Sequence, residues 1–109
     1  MSFFSTVVSK KTASGIVYTG ECYLCGMHIG TDGSADPTIG IYDALSKVDA
    51  SEIVPYTPYE ADYKGLNGFE TNYPILCSTG IYVEITCDGG DVIVIIKYRA
   101  KDQIQKLPW

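Results

Sequence analysis

An all-β fold is the expectation for this 109-residue chain: an antiparallel β-sandwich, jelly-roll-like, with about seven to eight strands and extended N- and C-terminal arms. Three observations lead there. Short runs rich in Ile, Val, Tyr and Thr alternate apolar with polar residues, as half-buried strands do. Clusters of Gly, Pro, Asp and Asn separate those runs. No stretch carries the apolar spacing of an amphipathic helix. Apolar residues make up 46% of the chain, too many for disorder and enough for one core but not two.

Taken in order, residues 1–14 form an N-terminal arm or edge strand, residues 15–99 the sandwich, and residues 100–109 a C-terminal arm. Ser2 to Lys11 alternates loosely. Gly15 to Ile29 reads as a long strand, with bends or bulges at Gly20 and Gly26. Thr31 to Pro37 is a turn, because Asp and Gly supply its dihedrals and Pro37 blocks pairing. Thr38 to Asp43 is a short strand with Ile39 and Ile41 on one face. Ala44 to Ser51 is a polar connection holding one helical turn, which Asp43 or Ser46 could cap. Glu52 to Tyr56 is a strand fragment confined to an edge or strand end by Pro55.

Residues 55–74 read as a long irregular loop carrying Tyr56, Tyr59, Tyr63, Phe69 and Tyr73. A loop of that length in a compact domain is usually functional or part of an interface. Beyond Ile75 to Ser78, the run from Gly80 to Tyr98 folds as a hairpin about Gly89-Gly90, a pair suited to a type I′ turn. Cys87 would then oppose Val92, Ile85 Val94, Val83 Ile96, and Ile81 Tyr98, all on the buried face. Tyr82, Glu84 and Thr86 would share the outward face with Ile93, Ile95 and Lys97. Ile93 and Ile95 are too apolar for plain solvent surface, so something covers them. The tail ends in Ile104, Leu107 and the only tryptophan, Trp109, which suggests docking onto a neighbour or back onto its own sheet.

Charge narrows the partners. The net charge is −5, with Lys47 and Lys64 against twelve carboxylates between residues 12 and 96. Lys97, Arg99, Lys101 and Lys106 stand against Asp102 alone in the tail. An acidic body with basic ends argues against nucleic acid and suits contact with an acidic protein surface or with a copy of itself. No apolar run is long enough to cross a bilayer, and the start lacks the layout of a signal peptide, so a cytoplasmic site of synthesis is expected.

Chemistry is scarce. Cys22-x-x-Cys25 has zinc and redox spacing, yet residues three apart on a strand point to opposite faces. Free, mostly buried cysteines are the expectation for Cys22, Cys25, Cys77 and Cys87, with a zinc site or a disulfide as alternatives. His28 has no partner at metal-ligating spacing, and no nucleophile elbow or phosphate-cradling loop is present. Asp32, Asp36 and Asp43 lack the alternate spacing of a calcium loop. No catalytic residue, metal or cofactor is expected.

Three blocks bear on function together: Gly15-Ile-Val-Tyr-Thr-Gly20 with Leu24-Cys-Gly-Met-His-Ile29, Thr31 to Asp43, and Cys77-Ser-Thr-Gly-Ile-Tyr-Val-Glu84. Their layout resembles small all-β virion structural proteins of tailed bacteriophages. The resemblance covers most of residues 15–98 and rests on turn and strand grammar. It implies a non-enzymatic subunit of the virion, assembled in the host cytoplasm. A capsid decoration (cement) protein would bind the major capsid protein and copies of itself, a trimer being one possible oligomer. The alternative is a carbohydrate- or receptor-binding module, as in a tail or fibre component. Candidate partner-binding residues are Tyr56, Tyr59, Tyr63, Phe69, Tyr73, Ile93, Ile95, Leu107 and Trp109.

Overall fold

A computed structural model describes residues 7–31, 37–58, 65–87 and 91–100; at Thr57 and residues 65–73 the description is of the backbone. The described residues form eight strands: β1 (Val7–Lys11), β2 (Gly15–Thr19), β3 (Cys22–Thr31), β4 (Thr38–Tyr42), β5 (Glu52–Pro58), β6 (Gly65–Cys77), β7 (Gly80–Thr86) and β8 (Val92–Ala100). They build two four-stranded sheets, β1-β8-β3-β6 and β2-β7-β4-β5, antiparallel throughout. Only β4 and β5 are sequence neighbours within one sheet; every other connection crosses to the facing sheet. That interleaving is a jelly roll.

The alternation anticipated for Gly80–Tyr98 holds, but its pairing does not. β7 pairs with β2 and β4, whereas β8 pairs with β1 and β3. β7 and β8 are therefore not a hairpin pair but belong to different sheets, and the turn expected at Gly89-Gly90 lies outside the described residues. Ile81 and Val83 meet Val94 and Ile96 across the core instead of along a ladder. Period-two patterning states which residues face inward; it is silent on whether two inward rows are bonded or stacked. Both packings bury the same side chains.

The stretch expected to be one strand from Gly15 to Ile29 is divided at Gly20, whose φ of 116° turns the chain from the second sheet into the first. Within β3, Cys22 and Leu24 face the core, and so do Met27 and Ile29. The change of phase is absorbed by a bulge between Leu24 and Gly26, which leaves Cys25 out of step. Each fully buried Leu, Ile or Met here contributes about 1.5–3 kcal/mol through removal of apolar surface from water.

Residues 55–74 are largely strand, contrary to the loop expected. Residues 55–58 complete β5 and residues 65–74 belong to β6; residues 59–64 lie outside the described residues. Proline and glycine density suggests a loop, but Pro55 and Pro58 sit on β5 and Pro74 on β6, and both strands are sheet edges. An edge strand has one side that needs no ladder bonds, so a missing N–H is tolerated there. The irregularity is real but local. Pairing with β3 skips from Glu70 to Ile75, and pairing of β5 with β4 skips from Val54 to Thr57.

One end of the sandwich is closed by an aspartate. Asp43 follows β4, and its carboxylate accepts the backbone N–H groups of Thr79 at 2.8 Å, Ser78 at 2.9 Å and Gly80 at 3.2 Å. Partial burial pushes its pKa up, but the Thr79, Ser78 and Gly80 donors outweigh that and hold the carboxyl below the ordinary range. Gly20 N–H donates to the Thr79 carbonyl at 2.9 Å, so two crossings between the sheets are tied at this point. Gly80 has φ of 155°, and a Cβ there would lie 2.4 Å from the Tyr18 carbonyl oxygen. Only glycine fits. The 3-10 turn at Asp49–Ser51 has no side-chain cap, so Asp43, expected to cap a helical turn nearby, spends its carboxylate on the β6–β7 turn.

Candidate functional site

The two outer faces of the sandwich are treated differently. On the second sheet, Tyr42 lies on the outer side of β4 and yet is fully buried. The connection after β4 folds over it, placing Lys47 Nζ 5.9 Å from the Tyr42 ring centroid and 5.3 Å from that of Tyr56. Tyr82 packs against Tyr42 at 6.3 Å between centroids and donates its hydroxyl to Glu84 at 2.9 Å. Burial and the Glu84 hydrogen bond both act on these phenols: burial raises the pKa of Tyr42, and the bond to Glu84 raises that of Tyr82. The connection covers only the Tyr42 end of this face, which carries Glu52 and Glu84 as its strand carboxylates and leaves Ile16 of β2 exposed.

The outer face of the first sheet differs in charge. Every second residue of β8 from Ile93 to Arg99 points outward, and the rest face the core. Register sets Lys10 of β1 and His28 of β3 beside Ile95, and Val8 beside Lys97. Tyr23 stands between Arg99 and Leu76. Val8 is 58% exposed, Leu76 51% and Ile93 38%. Cys25, displaced outward by its bulge, joins this face: burial raises its pKa, and the nearby charges of Arg99 and Lys97 offset part of that rise. Apolar side chains flanked by Lys10, Lys97 and Arg99 thus occupy one face of a chain that is acidic as a whole.

The expected partner-binding residues divide accordingly. Ile93 and Ile95 belong to this face, while Tyr82, Glu84 and Thr86, expected beside them, lie on the opposite side of the molecule because β7 is in the other sheet. Tyr56 is occupied within the domain: its ring is covered by Lys47 and its hydroxyl is bonded to that of Thr86. To reach Thr86 on β7 it passes over β4 at Gly40, where a Cβ would come within 3.0 Å of the Tyr56 Cα. Phe69 and Tyr73 are on β6, Tyr73 within the segment that skips pairing, and their side chains lie outside the described residues. Tyr59, Tyr63, Leu107 and Trp109 lie outside the described residues altogether.

The outward row read from the sequence already held Ile93, Ile95 and Lys97, but it left out Arg99 and missed Val8, Lys10, Tyr23 and Leu76 as members. Arg99 continues the row of Ile93, Ile95 and Lys97 at the same every-second-residue spacing, which was the signal that could have found it. Elsewhere, a cleft of about 440 Å³ is lined by Thr12, Cys87, Asp91, Val92 and Ile93. Among the described residues, no group of three or more His, Cys, Asp or Glu side chains is arranged to hold a metal ion. No described helix is long and apolar enough to cross a membrane. No family model, curated protein or solved structure matches the chain.

Proposed function

We propose that this chain is a non-enzymatic structural subunit of a bacteriophage virion, a capsid decoration protein that docks through the outer face of its first sheet onto an acidic surface of the major capsid protein. One observation carries the docking part of the reading. The second sheet's outer face carries the carboxylates Glu52 and Glu84 around its Tyr42–Tyr82 pair, whereas the first presents Val8, Ile93 and Ile95 among the cations Lys10, Lys97 and Arg99. An apolar centre with a charged surround is the usual anatomy of a protein interface. Cations gathered on one face of an acidic chain steer it toward an acidic partner. Two copies of this face would repel one another, so copies of the chain sit side by side on the partner. The virion setting rests on the resemblance of residues 15–98 and, as analogy at the level of fold, on the use of jelly rolls in viral capsids.

Mass spectrometry of purified particles of the encoding virus tests this, with copy number measured relative to the major shell protein. About one copy per shell subunit is expected for a decoration protein. A dozen copies or fewer would move the chain to the neck or tail, and absence from the particle would overturn the reading.

A further inference from the structure

Cys22 and Cys77 are direct register partners, the first residue of β3 against the last of β6, and both are fully buried. Directly opposed residues of an antiparallel pair have Cα atoms about 4.5–5.5 Å apart. That interval lies inside the roughly 4.4–6.8 Å over which a disulfide closes without moving the backbone. Both side chains project to the same face of the sheet, as opposed residues must, and the Cys77 thiol donates to the Ile75 carbonyl at 3.7 Å. The other two cysteines are placed elsewhere. Cys25 is on the outer face of the sheet, and Cys87 follows the far end of β7, the strand that begins at Gly80.

We propose that Cys22 and Cys77 are a reversible dithiol–disulfide couple, a covalent lock that joins edge strand β6 to β3 when a small disulfide such as glutathione disulfide is present. The exchange runs in two steps. Cys77 gives up its proton to water and its Sγ attacks one sulfur of the small disulfide, forming a mixed disulfide and expelling one thiolate. Cys22 then loses its proton and attacks Cys77 Sγ, closing the Cys22–Cys77 bond and expelling the second thiolate. Two protein thiols are oxidised, and one small disulfide is reduced to two thiols. Cys77 is the first nucleophile because it ends the edge strand and is followed directly by the exposed Ser78 and Thr79, whereas Cys22 lies on β3 between two paired strands. Burial slows entry. The pair lies next to the exposed Ser78 and Thr79, at the end of an edge strand, where local opening is easiest.

The test uses the full chain carrying Cys25→Ser and Cys87→Ser, two half-buried positions whose replacement leaves the paired thiols alone. The variant is equilibrated with glutathione disulfide and its thiols are counted after denaturation. Peptides are then mapped without reduction. The expected result is loss of both thiols together, one intramolecular cross-link joining the peptides of Cys22 and Cys77, and a melting temperature raised by about 10 °C that returns to its starting value with dithiothreitol. Persistence of both thiols, a stable mixed disulfide with glutathione, cross-linked dimers, or a cross-link without a rise in melting temperature would each overturn the proposal.

Discussion

Replacing Asp43 by alanine removes the one carboxylate that gathers the N–H groups of Ser78, Thr79 and Gly80. A hydrogen bond to a charged acceptor contributes about 1.5–3 kcal/mol, less where water can replace it. Ser78 and Thr79 are exposed, so water takes over much of their share, but Gly80 is buried and its N–H would be left without an acceptor. The expected loss is about 3 kcal/mol. For a domain of this length that lowers Tm by about 12 °C. Asp43→Asn keeps a carbonyl acceptor and loses the charge, and should fall about half as far. The folded-state pKa of Asp43 is held below its unfolded value, so its contribution is fully present above about pH 4 and is lost as the pH falls through the folded pKa. Melting followed by circular dichroism from about pH 7 to about pH 3 should therefore show the gap between wild type and Asp43→Asn closing at the acid end. An Asp43→Ala variant melting within about 2 °C of wild type at neutral pH would refute the reasoning, as would a gap that does not change with pH.

Three further perturbations probe other parts of the structure. Gly80→Ala forces a Cβ against the Tyr18 carbonyl at an unfavourable φ and should cost about 3 kcal/mol or more, read as a lowered urea midpoint. Ile96→Ala empties a fully buried position between the sheets and should cost about 2–5 kcal/mol by the same measurement. Ile93→Asp, at an exposed position on the outer face of the first sheet, should change stability by less than about 1 kcal/mol yet abolish incorporation into particles. Undiminished incorporation would remove that face from the interface.

Much of the inward-facing set was legible, because alternation in β7 and β8 and the spacing of Ile39 and Ile41 report burial directly. Partnership was not. The Gly89-Gly90 pair satisfies the chemistry of a tight turn, and nothing local distinguishes a chain that folds back beside itself from one that crosses to a facing sheet. Pro55 did mark β5 as an edge strand, but Pro58 and Pro74 misled, since proline marks a loop unless the strand is at an edge, and edges are a property of the finished sheet. Gly20 and Gly26 did mark the break and the bulge. Asp43 was visible as a capping residue, but its true acceptor role depends on Ser78, Thr79 and Gly80, more than thirty residues away. The candidate face was half legible: Ile93 and Ile95 stood out, while Val8 and Lys10 join them only through the register of β1 with β8.

The edge prolines also limit how copies of this chain can assemble. β5 and β6 each form one margin of a sheet, and at Pro55, Pro58 and Pro74 neither margin has an N–H to donate. A continuous sheet shared between subunits by strand addition is disfavoured along both. The margins formed by β1 and β2 have no proline within their strands. Strand addition is left to those two margins, whereas copies held face-on through side chains, as in the proposed docking, could be shed or gained without unzipping any backbone ladder.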